Sequence, residues 1–262
     1  MHAKVQFDAL PYAIGAILLG VVTLVFGDFA LQWQPVPEGM AGGAALATTS
    51  GLVLIAGGLT ALWRNAGSAR LILSAFYMLW VLALHLPKFI AAPGVASLLG
   101  FAEILSLAAA GAALIASRDS NSPLKLTARI VYGLCPLVFG ISHLVYADFT
   151  ASMIPAWIPA KLFFAYFTGA AHIAAGLAIL AGLLARLAAT LLATMCGLFV
   201  LLLHIPRVAA APTDHKEWTM LAVAVSIAGG AWLIRRLLPG GGGETTTRLA
   251  DQPEAQLQAS GA

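Results

Sequence analysis

The sequence predicts an all-α integral membrane protein, with eight transmembrane helices arranged as two parallel-repeat four-helix bundles. Three observations lead there: a mean hydropathy of +0.91, continuous apolar runs of helix length, and a five-residue block that occurs twice. Hydrophobic residues make up 60% of the 262-residue chain and charged residues 10%, against roughly 25% charged in soluble domains. Crossing a hydrocarbon core takes about 20 apolar residues in helical form, because every backbone polar group must be bonded within its own segment. A membrane β-barrel would instead show short stretches of alternating polarity, and these runs are unbroken Leu, Ala, Val and Gly.

Taken in order, the runs lie at about 12–31, 43–63, 70–90, 95–116, 129–147, 161–184, 187–207 and 217–238. The first is long and has no small-residue cleavage site before a polar chain, so it is expected to serve as its own insertion signal. The third ends in Leu84-His85-Leu86-Pro87-Lys88, and the seventh in Leu203-His204-Ile205-Pro206-Arg207; an Ala-Pro step follows each. These blocks are offset by 119 positions, and Val25-Phe26-Gly27 against Val138-Phe139-Gly140 by 113, so extra residues are expected near Pro155 to Pro159 in the second copy. Four spans per copy, an even number, make the repeats parallel about an axis normal to the membrane.

The domain plan is therefore a first unit at 1–118, a cytoplasmic linker at 119–126, a second unit at 127–238 and a tail at 239–262. The linker is rich in Ser, Asn, Asp and Pro. The tail, with its glycines and threonines, buries too little apolar surface to fold alone and is expected to be disordered.

Orientation follows Lys and Arg in short loops. With the N-terminus inside, ten basic residues fall on the cytoplasmic side (Lys4, Arg64, Arg70, Arg118, Lys125, Arg129, Arg186, Arg235, Arg236 and Arg248) and four outside (Lys88, Lys161, Arg207 and Lys216). Both termini are expected in the cytoplasm. The formal charge of +3 then needs no nucleic-acid partner. Cys135 and Cys196 fall inside spans, which provides neither a disulfide framework nor a redox pair; they read as small packing residues. Trp33, Trp157 and Trp218 lie near outer span ends, where indoles anchor at the interface, and Trp157 stands in a Pro-flanked loop able to cap a cavity.

Ionisable side chains inside spans cost at least ~2.5 to 3.5 kcal/mol at the bilayer centre, so they face cavities or bundle interiors. Glu103 lies about 13 Å into its span at 1.5 Å per residue, His172 near the midplane, and His143, His85 and His204 toward the outer ends. All five fall at or outside the midplane, which points to an outward-opening pocket. The opposing reading makes them satisfied core residues, with His85 and His204 bonding carbonyls freed by Pro87 and Pro206. Imidazoles with a carboxylate suit a transition metal, paired imidazoles a haem, and imidazole donors with apolar walls a quinone. No two-ligand spacing occurs on one helix, no metal ligand is assigned, and phosphate-loop, nucleophile-elbow and zinc-protease motifs are missing.

The second copy's Gly140-Ile-Ser-His143, Pro155-Ala-Trp-Ile-Pro159, Thr168-Gly169 with His172-Ile-Ala-Ala-Gly176, and His204-Ile-Pro206 resemble the DoxX-like family of bacterial four-span membrane proteins; the first copy resembles it more faintly. That resemblance implies a four-helix bundle per copy, an inner-membrane location and, in some members, association with systems such as thiosulfate:quinone oxidoreductase. By position, the family's span-ending His matches His85 and His204, and its early polar site matches His143. The first copy departs from the pattern, with Ala30 opposite His143 and Leu54 opposite His172.

The expected role is an accessory or quinone-facing subunit of a redox or stress-response system, with His143, His172, His204 and Trp157 about one pocket and His85 and Glu103 about the equivalent place. The cofactor stays open, with a quinone ranked ahead of haem or metal. The expected partners are the bilayer and a membrane redox subunit or a second copy. The alternatives are a small-solute transporter using proton coupling through Glu103 and His172, and a membrane scaffold without ligand.

Overall fold

The computed structural model describes residues 5–63, 66, 68, 71–117 and 122–238. Residues 119–121 of the expected linker, the tail, and Lys4, Arg64, Arg70, Arg118 and Arg248 lie outside these residues. Eight helices are long and apolar enough to cross a membrane: Phe7–Phe26, Gly43–Leu62, Leu71–Ala91, Val95–Ala116, Pro123–Val145, Lys161–Ala181, Ala185–Ala210 and His215–Arg235, here the first to eighth spans. The described residues form no strand beyond one bridge between Val5 and Trp63.

Three boundaries differ by five residues or more from the sequence reading, one being the start of the first span at Phe7 rather than near 12. The first span stops at Phe26, where Gly27 takes the left-handed conformation (φ +64°) that ends a helix without a Cβ penalty. Phe29 to Leu31 continue the apolar composition but not the helix. The fifth span begins at Pro123, six residues earlier than expected, with proline in the first turn where its missing N–H is harmless. Lys125 and Arg129 ride on this first stretch, so an apolar-run criterion passes over it.

Consecutive spans run in opposite directions, as the bonds at one face show. Gln6 N donates to Leu62 O at 2.8 Å; Arg129 Nη2 donates to Leu180 O at 2.9 Å; Arg235 Nε donates to Thr190 Oγ1 at 3.0 Å. Asp8 joins the start of the first span to the end of the eighth, pairing with Arg236 at 3.3 Å and accepting from Trp232 Nε1 at 3.4 Å. This basic face carries Arg129, Arg186, Arg235 and Arg236. At the opposite face, Phe26 stacks on His215 with ring centroids 4.5 Å apart.

The spans close into a ring. Each span packs on the next along the chain and the eighth returns to the first, so the first span packs along the second and the eighth, and the fifth along the sixth and the fourth. The fourth and eighth spans also touch each other and are the most buried; the third and seventh are the most exposed to the surroundings. Leu79, Leu82, Leu191, Leu201 and Phe163 project outward, more than half exposed. On apolar spans of this length such side chains contact lipid.

Close approach between spans depends on small residues, since lipid gives helices no hydrophobic drive to associate. A Cβ on Gly20 would lie 2.5 Å from Gly51 O, and one on Gly140 would lie 2.5 Å from Gly169 O. The next contact repeats the match: a Cβ on Gly58 would meet Ala13 O at 2.9 Å, and one on Gly176 would meet Gly133 O at 2.8 Å. The first-on-second and fifth-on-sixth packings therefore correspond at offsets of 120 and 118. The alignment of Gly27 with Gly140 is corrected to Gly20 with Gly140, a slip of seven residues. Such a slip is two helical turns and keeps the apolar face aligned, so composition cannot detect it. By these offsets the stretch from Gly140 to Gly169 is two residues shorter than that from Gly20 to Gly51, so no insertion lies near Trp157.

A second match lies in the third and seventh spans. Both widen into a π-turn, Val81–His85 and Val200–His204, closed by Leu86 N to Val81 O and by Ile205 N to Val200 O. Each π-turn precedes the proline by one residue, and such turns occur frequently at functional sites.

Candidate functional site

The structure sorts the sequence candidates into separate clusters. In the second half, His143 and His172 come together. The Gly140–Gly169 approach brings the fifth and sixth spans close enough for their rings to lie 5.0 Å apart between centroids. Phe199, the last residue before the π-turn, lies 6.2 Å from each ring, and Phe139 meets His172 edge-on at 5.8 Å.

Thr168 fixes both imidazoles. Its hydroxyl donates to Phe164 O at 2.8 Å, so at 3.0 Å its Oγ1 accepts from His143 Nδ1–H. Its carbonyl, which can only accept, takes the Nδ1–H of His172 at 2.8 Å. Both neutral rings are thereby set in the tautomer with a bare Nε2, an acceptor. The arrangement can take hydrogen bonds from a ligand's hydroxyl groups between aromatic walls. In the first half the corresponding positions hold Thr23 and Leu54, both fully buried. Ala30, expected opposite His143, lies beyond the end of its helix because of the register correction.

His204 is buried at the end of the second π-turn, its Nδ1 without a hydrogen-bond partner among the described residues. One turn on, Arg207 grips Glu217 with two bonds, Nε to Oε2 at 2.8 Å and Nη2 to Oε1 at 2.5 Å. The sequence reading passed over this pair, although opposite charges flanking one short loop were visible. Trp157 is 70% exposed and makes no hydrogen bond or ring contact among the described residues.

In the first half, His85 and Glu103 are joined through Trp33. Its indole Nε1 donates to Glu103 Oε2 at 2.8 Å, and its carbonyl accepts from His85 Nε2 at 2.9 Å. His85 therefore does not bond a carbonyl freed by Pro87. Trp33, read as an interface anchor, is 4% exposed. Leu31, in the left-handed region at φ +48°, turns the short 3-10 segment Leu31–Trp33 inward. Beside it Gln34 is buried and accepts from Ser50 Oγ at 3.1 Å. No group of three or more His, Cys, Asp or Glu able to hold a metal occurs among the described residues. Cys135 and Cys196 are free and buried.

Eight apolar spans in a closed arrangement, with paired imidazoles inside, define a multi-pass membrane protein with a polar site within its bundle. The DoxX family model matches residues 124–205, which makes this part of the chain DoxX-like. The matched stretch contains Gly140, His143, Thr168, His172 and His204. No curated protein and no solved structure matches the chain.

Proposed function

We propose that this protein is a quinone-facing accessory subunit of a membrane redox or stress-response system, and that its second half binds the quinol form of the ligand. The observation that carries this reading is the pair of Nε2 acceptors at His143 and His172, both set by Thr168 and walled by Phe139 and Phe199. A quinol offers two hydroxyl donors on an aromatic ring, matching acceptors and walls; amphipathic ligands of this kind are held by a few placed polar groups in apolar surroundings. His204 stands toward the same membrane face, and Trp157 is an anchor at that interface.

The chain is a tandem duplication with parallel halves, a reading supported by the twin glycine approaches and the twin π-turns. The basic face is cytoplasmic and bears both termini, in keeping with the bias of Lys and Arg toward the inside of the bacterial inner membrane. A redox subunit or a second copy of the chain is the expected partner.

The test is titration of detergent-purified protein with a short-chain ubiquinol, with solvent extraction of co-purified quinone. Saturable binding that His172→Ala weakens about tenfold supports the reading; no saturable binding to the wild type overturns it. Glu103, which has no ion-pair partner among the described residues, favours a second reading, proton-coupled transport of a small solute. Proton uptake by reconstituted vesicles along a solute gradient, lost in Glu103→Gln, would distinguish it.

A further inference from the structure

A cleft of about 450 Å³ opens at the histidine-bearing end of the first and second spans, away from the His143–His172 pair. This volume lies within the range of roughly 300–1,000 Å³ usual for small-ligand sites. Its walls include Phe29, Leu31 and Met40, and Asp28 and Glu38 stand on it. Neither carboxylate is in an ion pair among the described residues, and both residues are exposed. Gln34, 5% exposed, also lines the cleft. Its Oε1 is engaged by Ser50 Oγ at 3.1 Å and by Ala30 N at 3.5 Å, while its Nε2 donates to nothing among the described residues.

The lining thus offers two negative charges, an apolar wall and a free amide donor on an otherwise buried residue. The ligand that satisfies all three carries an ammonium group for Asp28 and Glu38, an apolar body, and a carbonyl oxygen for Gln34 Nε2. A carboxylate-bearing ligand would meet repulsion from the same pair. We propose that this cleft binds small organic amines bearing a neutral amide or ester carbonyl, separately from any quinol site.

Isothermal titration of the detergent-purified full chain uses phenylalaninamide as the cationic probe, N-acetylphenylalaninamide as its uncharged counterpart and phenylalanine as the zwitterion. Saturable binding of phenylalaninamide, with both other compounds weaker, is expected. Because Asp28 and Glu38 are exposed, Asp28→Asn and Glu38→Gln leave folding intact. Each should weaken phenylalaninamide by about fivefold, the upper end for an exposed charge pair, and Gln34→Leu should weaken it further. Absence of saturable phenylalaninamide binding overturns the proposal, as does equal binding of the acetylated compound or an affinity unchanged in the double variant Asp28→Asn/Glu38→Gln.

Discussion

The indole N–H of Trp33 points at the carboxylate of Glu103 across 2.8 Å, while the same residue's carbonyl receives His85. One loop residue therefore fixes two polar side chains from two different spans. Trp33→Phe keeps most of the apolar volume but removes the only hydrogen-bond donor to the Glu103 side chain among the described residues, which should cost about 1–3 kcal/mol. Glu103→Gln keeps an acceptor for the indole and should cost less. Thermal unfolding midpoints in one detergent would rank them; equal midpoints for Trp33→Phe and wild type would contradict the bond's importance.

Gly20→Ala and Gly140→Ala should be comparably destabilising, by about 1–3 kcal/mol each, because the new methyl group would press on a facing backbone carbonyl in both places. Gly197→Ala meets nothing within 4 Å and should be neutral or stabilising by up to about 1 kcal/mol through helix propensity. Denaturation of the three variants side by side checks this ordering.

Glu217 is buried, and Arg207 neutralises it with two bonds. Removing one partner of such a pair leaves an uncompensated charge, so Arg207→Ala should be the more damaging of two arginine truncations, at roughly 3 kcal/mol. Arg236→Ala, which opens an exposed contact to Asp8, should cost under about 1 kcal/mol. The double variant Arg207→Met/Glu217→Leu should recover most of the loss in the same unfolding assay.

Thr168→Val abolishes the acceptor for His143 while leaving the backbone carbonyl that holds His172. Ubiquinol affinity should fall by about fivefold, one hydrogen bond's worth of positioning, at near-normal stability. A titration curve identical to wild type would show that ring orientation is set elsewhere.

Much of the architecture could be read from residues alone, because helix-length apolar runs leave few alternatives. The eight spans emerged that way. Register did not. Valine, leucine and glycine recur so often that a two-turn slip costs no apparent matches, and only the carbonyl facing Gly20 shows that it corresponds to Gly140. The sequence set His143, His172 and His204 about one pocket; the structure brings the first two rings together, and Thr168 as their organiser was not foreseen, since bonds between spans have no sequence signature. Trp33 misled for a related reason: an indole at a span end looks like an anchor until the left-handed turn at Leu31 swings it inward.

The lodging of each half's last span against the other half's first gives the molecule a property of interlocked pieces. A fragment ending near residue 117 would leave the surface of its opening rod, where Gly15 and Tyr12 meet Ser226 and Gly229, without its cover. Such fragments should be poor folders in isolation yet reassemble when produced in one cell, so that severing the chain between them would do less harm than discarding either portion.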